Sequence, residues 1–164
     1  MGDKKKINVK HLVEEIAKIT KKRMLQGDVV SLGEFRKLKK KNQTPLHVLL
    51  IDDDDSFRTA MVRFLEGEGY KVTASLDGTQ LSEVLGDEPL DLILLDVGLP
   101  WVNGFELAEI LKESEDLKDI PLIFISGKAD DLDIMRGKKL GAVDFLKKPF
   151  ELKELKIKLE ELLD

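Results

Sequence analysis

The chain has 164 residues, enough for one well-buried domain and a small appendage, and its 42% hydrophobic and 36% charged residues are ordinary for a globular protein. The absence of cysteine excludes a disulfide framework and any thiolate metal site, and apolar runs of at most five or six residues exclude a membrane-spanning helix. The net charge of −5 hides an asymmetry: residues 1–46 carry thirteen Lys/Arg against five Asp/Glu, net +8, and the rest of the chain is net −13.

The basic amino terminus, Met1-Gly2-Asp3-Lys4-Lys5-Lys6, has no apolar stretch behind it and so does not read as a signal peptide; a cytoplasmic protein is expected. Val9, Leu12, Val13, Ile16 and Ile19 share one face of an amphipathic helix that follows Asn8, with Ile7 and Leu12 placed as a hydrophobic staple. Gln26-Gly27-Asp28 interrupts it. Ser31-Leu32-Gly33-Glu34 then forms a capping box flanked by the staple pair Val30 and Phe35, which predicts a second helix from Leu32 that carries Arg36, Lys37, Lys39, Lys40 and Lys41. The polar stretch Asn42-Gln43-Thr44-Pro45 reads as a linker. Residues 1–45 are thus expected to form a small basic helical segment and residues 46–164 a larger acidic domain.

In the acidic part, apolar strands alternate with amphipathic helices. The strands are expected at Val48–Ile51, Lys71–Ala74, Leu92–Leu95, Pro121–Ile125 and Val143–Leu146. The helices are expected at 56–68, through Phe57, Met61, Phe64 and Leu65; at 79–85; at 104–111, through Phe105, Leu107, Ala108 and Leu111; at 132–140; and at 151–163. On the last helix, Leu152, Leu155, Leu159 and Leu162 form a stripe expected to pack on the sheet. Five strands each followed by a helix predict an α/β fold: a five-stranded, parallel, doubly wound (flavodoxin-like) sheet covered on both faces. Ligands of such sheets sit beyond the carboxyl ends of the strands where strand order reverses, between strands one and three.

Those two strands both run into carboxylates. The first is followed by Asp52-Asp53-Asp54-Asp55, and the third ends on Asp96. Like charges held close raise one another's pKa unless a cation lies between them, and converging carboxylates offer the hard oxygen ligands that suit Mg²⁺. Asp54 and Asp55 read instead as a helix cap and a first-turn acid, and Asp91 as a solvated turn residue before its strand. Strand four stops on Ser126-Gly127 and strand five on Lys147-Lys148-Pro149-Phe150, which adds a hydroxyl and an ammonium to the same rim.

Together these segments resemble the receiver domain of bacterial two-component response regulators. The resemblance is carried by Leu50-Ile51-Asp52-Asp53-Asp54, by Leu95 to Pro100 with Asn103-Gly104, by Ile125-Ser126-Gly127, by Gly141 to Phe145, and by Lys148-Pro149-Phe150, in the family's order over residues 46–163. It implies Asp96 as phosphoacceptor, Asp53 as a direct Mg²⁺ ligand, Asp52 acting through water, and the Gly98 backbone carbonyl as a further ligand. It implies that Ser126 and Lys148 bind phosphoryl oxygens, that Gly127 leaves room for the group, and that the Lys148–Pro149 bond is cis. Ser126 and Phe145 are then the coupled switch pair, with Phe145 lacking the hydroxyl of a tyrosine. Gly98 and Lys128 occupy positions expected to tune access of hydrolytic water.

The implied partners are a histidine kinase or phosphotransfer protein and a downstream protein, with a homodimer as another outcome and no membrane. The basic segment admits two readings: nucleic-acid binding, or docking on a protein, on the acidic domain or as a dimer arm. Its His11 reads as incidental rather than as a phosphorelay histidine. A Mg²⁺-dependent phosphatase working through an aspartyl phosphate is the enzymatic alternative; such enzymes place a general acid two residues after the nucleophile, where this chain has Gly98. The expected catalysis is confined to self phosphoryl transfer and slow self-dephosphorylation.

Overall fold

The computed structural model describes residues 13–15, 18, 44–76 and 88–163. The expected helix at 79–85, the helix from Leu32, and most of the first helix lie outside the described residues. Within the first helix, residues 13–15 and 18 are helical; Val13, assigned to the apolar face, is 46% exposed, whereas Glu15 is buried with its carboxylate 2.8 Å from Lys18 Nζ.

Five short strands form the sheet: β1 (His47–Ile51), β2 (Lys71–Ser75), β3 (Leu92–Asp96), β4 (Leu122–Ser126) and β5 (Asp144–Lys147). They pair in the order β2-β1-β3-β4-β5, every neighbour parallel. This is the expected doubly wound topology, with the reversal between β1 and β3. β1, β3 and β4 are buried at every position, because helices cover both faces of a parallel sheet.

Alternate residues of each strand feed two cores. Leu49, Ile51, Ile93, Leu95 and Phe124 meet Phe105, Leu107, Ala108 and Leu111 of α2 (Gly104–Glu113), the face expected from the spacing. Val48, Leu50, Leu92, Leu94 and Ile123 meet Met61 and Leu65 of α1 (Asp55–Gly67) and Leu155, Leu159 and Leu163 of α4 (Leu152–Leu163). On α4, Leu155 and Leu159 are buried and Leu162 packs partly against the same core, as expected; Leu152 departs. Leu152 is 44% exposed in the first turn, and Leu163 is buried in its stead.

α3 (Asp131–Lys139) begins with an Asp130/Asp133 capping box and comes close to the sheet at Gly137, where a Cβ would lie 3.0 Å from Phe124 and 3.3 Å from Phe145. Lys112 ties down the loop after α2 by donating to the carbonyls of Lys118 (3.0 Å) and Ile120 (2.8 Å), and burial lowers its pKa.

Asp91 is a correction. It is fully buried rather than solvated: its carboxylate accepts the His47 N–H at 2.8 Å, while its own N–H donates to the His47 carbonyl at 2.8 Å. The first N–H of a buried strand needs an acceptor, and Asp91 supplies one from the start of β3. The buried His47 ring completes this end of the sheet, 2.7 Å from Thr73 Oγ1 through Nε2 and 3.3 Å from the Pro89 carbonyl through Nδ1.

Candidate functional site

The register places the acids. Ile51 pairs with Leu95, so the residues that follow, Asp52 and Asp96, stand level at the carboxyl ends of adjacent strands. Asp52, Asp53 and Asp96 each bring a carboxylate oxygen to a common point, all within 4.8 Å of one another. Asp52 is fully buried, Asp96 is 7% exposed, and Asp53 faces solvent. Two buried acids and an exposed one form a pocket open on one side, and its donors are all hard oxygens, which fits Mg²⁺ and not a soft metal.

The backbone turns that follow each strand hold the carboxylates in place. Asp52 Oδ1 accepts the Asp54 N–H at 2.9 Å, and the Asp52 carbonyl accepts Arg58 Nη1 at 2.8 Å. Asp54 is the cap of α1, accepting the Phe57 N–H at 3.0 Å, and Asp55 lies in the first turn and pairs with Arg58. The sequence reading of those two acids therefore stands. Across the pocket, Asp96 Oδ1 accepts the Gly98 N–H at 3.1 Å.

Burial pushes the Asp96 carboxyl up to about 6 from its ordinary 3.8. The Gly98 N–H opposes the rise, Asp52 adds to it, Lys148 opposes it, and Asp53 adds a little more. Such a carboxylate is short of positive charge, and a divalent cation would supply it.

Lys148 provides part of that charge. Its ammonium lies 2.6 Å from Asp52 Oδ2, and its N–H donates to the Ser126 carbonyl at 2.8 Å. Lys147 points out to solvent, as expected for its neighbour along an extended segment, and the Lys148–Pro149 bond is cis. The Lys148 ammonium also rests on the face of Phe57, 3.9 Å from the ring centroid, and Phe57 meets Phe150 edge-on at 6.1 Å. These rings border a pocket of about 390 Å³ that also includes Met61, Pro149 and Leu152.

Ser126 is buried at the end of β4, its hydroxyl donating to the Lys128 carbonyl at 2.9 Å and accepting the Lys128 N–H at 3.2 Å. Phe145 is half-buried, its ring 5.9 Å from that of Phe124. Among the described residues, and apart from its chain neighbours, nothing lies within 4 Å of the point where a Cβ on Gly127 would stand, so the space beside it is open.

The supporting roles of four residues were not assigned from the sequence. Arg58 and Phe57 carried a helical face and a charge without a visible target. Asn103 caps α2 by accepting the Phe105 N–H at 2.8 Å, which an Asn before a periodic helix does signal. Gly104 stands where a Cβ would lie 2.4 Å from the Asp96 carbonyl oxygen and 2.6 Å from Val97 Cα.

Comparison with known proteins agrees with this architecture. Residues 48–160 match the family model of the response regulator receiver domain. The TorCAD operon transcriptional regulatory protein TorR of Escherichia coli O157:H7 is 34% identical over 119 residues, which is 73% of this chain and 50% of that protein. The response regulator SaeR of Staphylococcus aureus (strain USA300) is 33% identical over 117 residues, 71% of this chain and 50% of its own length. The chain thus spans about half the length of these relatives. Among solved structures, the non-phosphorylated HemR receiver domain of Leptospira biflexa superposes with a TM-score of 0.66 at 34% identity, covering 73% of this chain and 94% of that one. Level acids on β1 and β3, a lysine after β5 and a match over most of the chain converge: this protein belongs to the response regulator receiver domain family.

Proposed function

We propose that the protein is a phosphorylatable switch whose Asp96 accepts a phosphoryl group from the phosphohistidine of a histidine kinase or phosphotransfer protein. The observation that carries this reading is the convergence of Asp52, Asp53 and Asp96 within 4.8 Å, with the Lys148 ammonium 2.6 Å from Asp52. In the transfer an Asp96 carboxylate oxygen forms the new P–O bond as the donor's P–N bond breaks. The electron pair leaves with the imidazole nitrogen, and nothing is oxidised or reduced.

Asp53 and Asp52 would hold Mg²⁺ with Asp96 and the Gly98 carbonyl. The metal would supply charge neutralisation between carboxylate and phosphoryl oxygens. Lys148 would exchange part of its contact with Asp52 for a phosphoryl oxygen. The Ser126 hydroxyl would give up Lys128 for another, and the half-buried Phe145 would follow into the space it leaves. Gly98 offers no general acid for repeated hydrolysis, which favours a switch over a phosphatase.

The two-unit organisation belongs to the same proposal: residues 1–45 as a basic segment of net charge +8 beside a domain of net charge −13. Electrostatics favours contact between them, acting over about 8 Å at physiological salt. Output then passes through a protein partner, a homodimer or this segment, with nucleic acid as one target. The name of TorR, a transcriptional regulatory protein, is compatible with that target.

Incubation with acetyl phosphate and Mg²⁺ tests the central claim. Intact-mass analysis should show one added phosphoryl group on the wild type and none on a folded Asp96→Asn variant. Equal labelling of both would move the acceptor elsewhere.

A further inference from the structure

We propose that Phe57 is a positioning residue for Lys148, its ring face keeping the ammonium beside Asp52 and ready for the incoming phosphoryl group. The proposal rests on the reading of Asp96 as phosphoacceptor and adds to it a residue on a different element. Among the described residues, Lys148 Nζ has two holders: Asp52 Oδ2 at 2.6 Å and the Phe57 ring centroid at 3.9 Å. A flexible four-carbon stem bearing one carboxylate contact can still rotate about it; a second contact from the ring face restricts that rotation.

The ring is itself held. Asp54 Oδ1 fixes the Phe57 backbone by accepting its N–H at 3.0 Å, and Phe150, two residues beyond Lys148, meets the ring edge-on with an interplanar angle of 79°. The acidic run therefore reaches Lys148 twice, directly through Asp52 and indirectly through Asp54 and Phe57. An aromatic face attracts a cation without binding it as a carboxylate does, so it can orient the ammonium and still release it when a phosphoryl oxygen arrives.

The experiment uses the full chain with Phe57→Leu, which keeps an apolar side chain and removes the π face, and Phe57→Trp, which restores one. Phosphoryl uptake from acetyl phosphate with Mg²⁺ is timed by intact mass, and the Lys148 side-chain resonances are recorded without phosphate. Phe57→Leu should slow uptake roughly three- to tenfold, and Phe57→Trp should recover most of the rate. The wild-type Lys148 resonances should carry an upfield ring-current shift that Phe57→Leu abolishes.

Equal rates for wild type and Phe57→Leu would overturn the proposal, as would equal slowing by Leu and Trp, which marks general packing. Unshifted Lys148 resonances in the wild type would overturn the contact itself. Failure of the wild type to label at Asp96 would instead remove the reading beneath it.

Discussion

The Cβ that Gly104 lacks would stand 2.4 Å from the carbonyl oxygen of Asp96. The first residue of α2 thus presses against the backbone of the strand-end acid, and its N–H donates to the Val97 carbonyl at 3.0 Å. Helix and acid are set as one unit, and only glycine fits between them.

Gly104→Ala should therefore act on both stability and chemistry. The methyl group meets backbone, which cannot rotate away, so about 1–3 kcal/mol of destabilisation is expected from overpacking. Because the displaced atoms belong to Asp96 and Val97, phosphoryl uptake should fall more than the loss of folded protein explains. Denaturant titration beside acetyl phosphate labelling checks this; full activity per folded molecule would contradict it.

Asp53 and Asp54, adjacent in sequence, should fail in opposite ways. Asp53→Ala removes an exposed pocket carboxylate, so Mg²⁺ binding should be lost with little change in stability. Asp54→Ala removes the α1 cap, so about 1 kcal/mol of stability should go while Mg²⁺ still binds. Calorimetric Mg²⁺ titration and thermal melts of the two variants separate the roles. Loss of Mg²⁺ binding in Asp54→Ala alone would reverse the assignment.

The Asp96 carboxyl, raised to about 6 from 3.8, gives a pH signature in metal-free protein. Between those values the folded state keeps a proton that the unfolded chain has released. The contribution of Asp96 to stability is therefore greatest below 3.8, falls as pH rises through 6, and stays low above it. Asp96→Asn should relieve this deficit, stabilising the protein at pH near 7.5 by at most about 3 kcal/mol and by less as pH falls toward 4.5. Added Mg²⁺ should stabilise the wild type more at high pH than at low, because its ligands must be ionised. Urea titrations across this pH range decide it; a gain from Asn that grows as pH falls would be the wrong sign.

Lys148→Met should leave the fully buried Asp52 without its cation. Breaking a buried pair costs about 3–5 kcal/mol, and the lower end applies because the Lys148 side chain is 20% exposed. Mg²⁺ should restore part of this loss by supplying charge to the same carboxylate cluster, while phosphoryl uptake stays impaired. Chemical denaturation with and without Mg²⁺ measures the recovery, and its absence would show that the metal does not meet Asp52.

The sheet was legible because its three central strands are apolar runs that give way to polar residues, Asp52, Asp96 and Ser126. Parallel order then placed those ends side by side. Asp91 was misread because its role depends on a partner 44 residues away, the first N–H of β1, which no local pattern reveals. Leu152 was misread because a first-turn residue can share the helical phase of the buried stripe and still lie beyond the edge of the sheet. The Phe57–Lys148 contact spans two elements that only the tertiary fold brings together, and Gly104 is explained by the space it leaves rather than by any group it carries.

The buried His47–Thr73–Asp91 cluster anchors the start of β1, which is the end opposite the acids. Five residues of strand, roughly 15 Å, separate that anchor from Asp52. The chain enters the domain at residues 44–46, on the rim opposite Asp52, Asp53 and Asp96. Between the two rims, β1, β3 and β4 present no solvent-facing position, so the sheet joins them through packed core along these strands.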